Sequence, residues 1–200
     1  MTSLHPLEGL VVADWALAHG LARDEAAAEL RAGPRRHGAA RGRLVLALAD
    51  RGATPPWETW LRYVALRLGL PRPRTQFEVD THAGRFYVDL AWPEHRVLAE
   101  FDGRLKYRDG AFGAGYDAEQ ALFDEKVRED AVTERLGVRP LRFVARDARD
   151  PDGVADRLLA RFPPDVRRAS RIDPLLPLPP RHRPIPYGSS GSGRQSGLPT

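Results

Sequence analysis

The sequence predicts an α/β fold in which a mixed sheet is flanked by helices. Three observations predict it. Two runs with a two-residue alternation stand close together at 76–80 and 86–91. A largely apolar run without alternation follows at 96–101. Segments of helical periodicity frame this block on both sides. Alternation marks a strand with one wet face, and an uninterrupted apolar run marks a strand covered on both faces.

The first stretch, His5 to Asp50, reads as helices. Leu7, Leu10, Val11, Ala16 and Leu17 recur at roughly helical spacing, and Gly20 closes the segment. An Ala-rich helix follows over Arg23 to Ala32, and Gly33-Pro34 breaks the chain. The basic run Arg35-Arg36-His37-Gly38-Ala39-Ala40-Arg41-Gly42-Arg43 leads into an apolar segment, Leu44 to Ala49. Such a run serves either as a phosphate contact or as a solvated helix face.

Thr54-Pro55-Pro56-Trp57-Glu58 is a helix start, with a capping Thr, prolines in the first turn and an acid near the positive helix end. The helix runs through Trp60, Leu61, Val64, Ala65 and Leu68 until Gly69 and Pro71 stop it. Phe77 and Val79 then alternate with Gln76, Glu78 and Asp80, and Phe86, Val88 and Leu90 with Tyr87, Asp89 and Ala91. With the Ala83-Gly84 turn between them they form a hairpin.

Pro93-Glu94-His95 turns the chain into the buried strand, which ends at Asp102-Gly103. Arg104 to Tyr116 reads as a glycine-rich loop. Asp117 to Leu136 reads as a long amphipathic helix with Leu122, Val127, Ala131 and Leu136 among its apolar positions, stopped by Gly137. Leu141 to Ala145 is a short strand. Asp150-Pro151 opens a last helix carrying Val154, Leu158 and Phe162, which Pro163-Pro164 terminates. Beyond Asp165 the chain is Pro-rich, then Gly/Ser-rich, without periodicity, and is expected to be disordered. The organisation is therefore a helical N-terminal segment over 1–53, an α/β domain over 54–165 and a disordered tail over 166–200.

Composition narrows the chemistry. The chain has 200 residues, of which 42% are hydrophobic, enough for a core of its own. There is no cysteine, which excludes disulfides, thiolate metal sites and cysteine nucleophiles. No basic-then-apolar leader and no apolar run of about 20 residues is present, so a cytoplasmic protein without a membrane span is expected. The net charge of +4 suits a polyanionic partner. Of the 31 basic residues only two, Lys106 and Lys126, are lysines. The six histidines are scattered without metal-ligand spacing.

Three acids stand where a sheet is predicted. Asp89 lies inside the second strand, and Glu100 and Asp102 end the third. Residues two apart on a strand share a face, so Glu100 and Asp102 project together, and Asp89 joins them if the two strands are neighbours. Carboxylates so gathered repel one another and raise each other's pKa. A hard divalent cation with oxygen ligands relieves that repulsion, can polarise a phosphoryl oxygen and can activate water. Pairing of the same acids with arginines of the adjoining helix relieves it equally well.

The residues from Phe86-Tyr87-Val88-Asp89-Leu90-Ala91-Trp92-Pro93-Glu94 to Val97-Leu98-Ala99-Glu100-Phe101-Asp102-Gly103 resemble the core of the PD-(D/E)XK nuclease superfamily, nearest its very-short-patch-repair (Vsr)-like branch. The Glu58 helix, Leu70-Pro71-Arg72-Pro73, Gln76, the Lys126-Val127-Arg128-Glu129-Asp130 helix and Leu141-Arg142-Phe143 fit the same pattern, so the likeness covers roughly Thr54 to Phe162. It implies a restriction-endonuclease-like fold and a Mg²⁺- or Mn²⁺-dependent endodeoxyribonuclease acting on DNA. Asp89 and Glu100 would be the metal-holding acids, with Asp102 beside them, and Glu58 an accessory acid reaching the metal through water.

One departure matters: the lysine usual two residues after the second acid is here Asp102. Its loss implies either a metal-heavy site or an inactive one, and Lys106, just past the motif, and Lys126, on the following helix where a migrated lysine could reach the site, are the two lysines the chain keeps. The segment from Pro6-Leu7-Glu8 to Leu44-Val45-Leu46-Ala47-Leu48-Ala49-Asp50 is similar to the helical linker of actinobacterial AbiEi-type antitoxins. The winged helix that precedes that linker has no counterpart in this sequence, so promoter reading is not expected. A non-catalytic antitoxin-like module that uses the nuclease fold to bind nucleic acid or a protein partner is the alternative function.

Overall fold

The computed structural model describes residues 4–32, 38–53, 55–102 and 118–180. Helices α1 (Pro6–Ala18), α2 (Arg23–Ala32), α3 (Ala39–Leu48) and α4 (Pro56–Arg67) precede strands β1 (Arg74–Thr81), β2 (Gly84–Trp92) and β3 (Val97–Asp102). Helix α5 (Ala118–Leu136), strand β4 (Leu141–Val144) and helices α6 (Pro151–Leu159) and α7 (Pro164–Ala169) follow. The sheet order is β1-β2-β3-β4, antiparallel for the first two pairings and parallel for β3 with β4. This is the mixed, helix-flanked α/β sheet that the hydrophobic patterning predicts, with α5 as the crossover between the parallel pair.

Two apolar clusters lie on opposite faces of the sheet. On one, Trp60, Leu61 and Val64 of α4 meet Leu90, Trp92, Ala99, Phe101, Phe143 and Leu158. On the other, Val132 of α5 meets Val79, Val88, Ala91 and Leu98. β3 obeys simple alternation, with Val97, Ala99 and Phe101 toward α4 and Leu98 toward α5. β2 does not: Val88 packs on the α5 side and Leu90 on the α4 side, although they are two apart. The irregularity falls at Asp89. Gln76, the residue of β1 opposite it between the Thr75–Leu90 and Phe77–Val88 pairs, has a φ of 46°. A left-handed backbone at a non-glycine residue costs about 1–3 kcal/mol.

The N-terminal helices join the α4-side core through Leu7, Leu10, Leu17 and Val45. His5 accepts the Leu7 N–H at 3.1 Å, and Glu8 accepts the His5 N–H at 3.0 Å, closing a capping box ahead of Pro6. A buried ion pair ties α1 to α4. Arg62 Nη2 donates to Asp14 Oδ1 at 2.7 Å and Oδ2 at 2.5 Å. Thr59 Oγ1 and the Asp50 N–H occupy the remaining acceptor directions of the same carboxylate.

Three expectations change. The α4 N-cap is Pro55, without a side-chain cap bond, while Thr54 lies outside the described residues. Leu122 and Val127 are exposed, and the buried stripe of α5 is Ala131 and Val132. The segment expected to be disordered beyond Asp165 is folded as far as residue 180. Pro164 begins α7 instead of only ending α6, because proline suits the first helical turn. The chain then returns to α4: Asp173 N–H donates to Arg67 O at 2.8 Å, Ser170 Oγ to Leu68 O at 2.5 Å, and Tyr63 Oη to Pro177 O at 2.8 Å, with Leu176 buried. These are bonds made one at a time to the end of α4, which no periodicity announces.

Candidate functional site

The site forms where β2 and β3 part. Their ladder runs through Trp92–Val97, Ala91–Leu98 and Leu90–Ala99. Asp89 and Glu100 come next, and there the Asp89 side chain takes over: its Oδ2 accepts the Phe101 N–H at 2.7 Å. Opening the strands at this point gives both faces of the sheet access to one place. Glu58 arrives from α4 and Arg128 from α5.

Glu58 is buried, and its carboxyl neighbours that of Asp89, whose charge disfavours its ionisation. Gln76 Nε2 donates to Glu58 Oε2 at 2.8 Å, so the strained residue of β1 holds the acid of α4. Burial, then the neighbouring Asp89, pushes the Glu58 carboxyl up to about 7. Burial also pushes Asp89 up to about 6. The Phe101 N–H opposes that rise, Glu100 adds to it, and Arg128 and Arg142 offset it.

Glu100 and Asp102 share the α5 side of β3, as their two-residue spacing requires, and both face Arg142, at 3.5 Å and 3.9 Å. Arg142 is the register partner of Glu100 on β4. Arg128 binds Glu100 bidentately, Nη1 to Oε1 and Nη2 to Oε2, each at 2.9 Å. Glu125 receives both arginines: Arg128 Nη2 at 3.0 Å, and Arg142 through a second close contact. Glu129, also buried, pairs with Arg139 and lies 3.4 Å from Arg142.

The structure sets Glu58 beside Asp89, lets Glu100 act on Asp89, and turns Glu100 and Asp102 toward Arg142. Lys126 does not join them. Its Nζ pairs with Asp130 at 2.7 Å on an exposed surface. Helix geometry explains the miss, since residues two apart on an α-helix point roughly 200° apart and Arg128 is the one turned inward. Lys106 lies outside the described residues. His95 faces Phe162 at 5.6 Å between ring centroids, and Trp57 stacks on Phe101 at 4.8 Å. Among the described residues, no set of three or more acids or histidines forms a ready ligand shell for an ion.

Sequence reasoning allowed that arginines of the adjoining helix pair with the acids, as Arg128 does with Glu100, but it named none of Glu125, Arg128, Glu129 and Arg142 as members of the site. A signal for three of them was present. Glu125, Arg128, Glu129 and Val132 follow the spacing i, i+3, i+4, i+7 of a single helix face, and Val132 is fully buried.

No family model matches the chain. Similar proteins include the uncharacterized protein MT2308 of Mycobacterium tuberculosis strain CDC 1551 and the uncharacterized protein Rv2248 of strain H37Rv. Each is 36% identical over 135 residues, covering 67% of this chain. The chain spans less than half the length of these relatives, 45% in each case. No solved structure matches. No helix among the described residues is long and apolar enough to cross a membrane.

Proposed function

We propose that this chain is a divalent-metal-dependent endonuclease-like protein that hydrolyses phosphodiester bonds in DNA. The observation that carries the reading is the meeting of Glu58 with Asp89 at the opening between β2 and β3, with Glu100 next along the neighbouring strand. The donor set suits the ion. Every donor in it is a carboxylate oxygen, the hard type that Mg²⁺ and Mn²⁺ prefer, and Glu58 and Asp89, raised first by burial and then by a neighbouring acid, are groups whose ionised forms a cation would stabilise.

Asp89 and Glu100 would hold the ion, with Asp102 beside them and Glu58 behind Asp89. When bound, the cation supplies charge stabilisation at a phosphoryl oxygen and lowers the pKa of water. The protein supplies placement. The Phe101 N–H fixes one Asp89 oxygen, and Gln76 fixes one Glu58 oxygen. Tests are plasmid nicking with Mg²⁺ or Mn²⁺ in the wild type and in Asp89→Ala/Glu100→Ala. Cleavage that disappears in the double variant supports the reading, and cleavage that survives it rejects this site.

A specific observation favours a second reading, a non-catalytic nuclease-fold module of regulatory or antitoxin type that binds nucleic acid or a protein partner. Both oxygens of Glu100 are engaged by Arg128, and the usual lysine position is Asp102. Calorimetry separates the two. Retained DNA binding without Mg²⁺ binding at millimolar ion selects the second. In either case contact with phosphates makes DNA affinity fall steeply with salt.

A further inference from the structure

We propose that Arg128 and the divalent cation are alternative occupants of one place beside Glu100, so that the guanidinium must leave before the ion enters. The proposal rests on the reading of Asp89 and Glu100 as cation ligands. Glu100 has its side chain only 8% exposed, and Arg128 covers both of its oxygens in a planar, two-pronged contact at 2.9 Å. Arg142 approaches the Oε2 side at 3.5 Å. An ion reaching Glu100 along the same directions would meet a fixed positive charge and find the carboxylate lone pairs already used.

Arg128 also has somewhere to go. Its Nε and Nη2 are held by Glu125, three residues earlier on its own helix, at 3.2 Å and 3.0 Å, and its side chain is 22% exposed. A change of rotamer frees Glu100 while Glu125 keeps the guanidinium at the rim. Among the described residues its remaining polar contact is weak, Nη1 to the Tyr87 carbonyl at 3.5 Å, and holds little back.

The test measures Mn²⁺ affinity by titration calorimetry on the full chain for wild type, Arg128→Lys and Arg128→Gln, with circular dichroism to verify folding. Lysine keeps the charge but not the two-pronged fit, so it separates competition for the oxygens from a simple field effect. The expected order of affinity is Arg128→Gln tightest, by about tenfold or more over wild type, with Arg128→Lys between. Wild-type binding that Arg128→Lys leaves unchanged or weakens overturns the competition while leaving the cation site intact. Absence of Mn²⁺ binding in wild type and folded Arg128→Lys alike overturns both this proposal and the metal-dependent reading. The lysine variant decides the case if the glutamine variant does not fold.

Discussion

Asp89 Oδ2 accepts the main-chain N–H of Phe101 at 2.7 Å, so a side chain of β2 does for β3 what a ladder carbonyl does elsewhere. That one bond lets the two strands separate without leaving a buried donor unpaired, while Glu58 of α4 lies beside Asp89 and Arg128 of α5 meets Glu100.

Asp89→Asn and Asp89→Ala should therefore behave differently. Asparagine retains an acceptor for Phe101 and is expected to fold like wild type while losing affinity for divalent ions. Alanine strands the N–H, at about 1–3 kcal/mol, against which the relief of a half-buried acid acts. Urea denaturation of both variants checks this. An alanine variant at least as stable as the asparagine one at neutral pH would refute the bridging role.

The Glu58–Asp89 pair makes stability depend on pH in a stated direction. Both folded values, about 7 and about 6, lie above the ordinary 4.5 and 3.8. Between these limits the folded protein holds protons that the unfolded chain releases. The contribution is complete below about pH 4 and is lost as pH rises through 6 to 7. Glu58→Gln removes the penalty and keeps a hydrogen-bonding amide. It is expected to exceed wild type by about 1–3 kcal/mol near pH 8 and to match it near pH 4. Coincident thermal melts at the higher pH would contradict this.

Arg62→Met should be among the most destabilising single changes. It leaves Asp14, which has no exposed surface and a carboxyl already raised by burial, without its cation. Removing one partner of a buried pair costs about 3–5 kcal/mol. The double variant Asp14→Leu/Arg62→Met is expected to recover part of the loss in chemical denaturation, and a double variant no more stable than Arg62→Met would contradict the pairing account.

Gly69→Ala tests the docking of the 170–180 segment. Gly69 has a φ of 68°, and a Cβ there would stand 2.5 Å from the Arg171 carbonyl oxygen. The substitution is expected to cost more than the roughly 1 kcal/mol of a left-handed alanine alone, and to increase proteolysis between α7 and Pro177. Unchanged proteolysis would mean that the close approach is not sustained in solution.

The hydrophobic patterning was enough to assign strands at 76–80, 86–91 and 96–101 and the helices around them, because burial of one face imposes its period on the chain. It was also enough to place Glu100 and Asp102 on one side of β3. Asp89 stood out as an acid inside a strand and Glu58 as an acid in the first turn of a helix, both also marked by the resemblance, and nothing local paired the two.

The tertiary structure decided the rest. Lys126 was singled out for being rare, yet it is Arg128, two residues further on, that turns inward, because rarity carries no direction and the phase of a helix does. The stretch after Pro164 looked featureless, since single bonds to the end of α4 leave no periodic trace. Composition and alternation are local properties and are legible residue by residue. Whether a buried carboxylate meets a proton, a guanidinium or a cation depends on which strands part and which helices reach the gap, and only the folded chain brings those partners together.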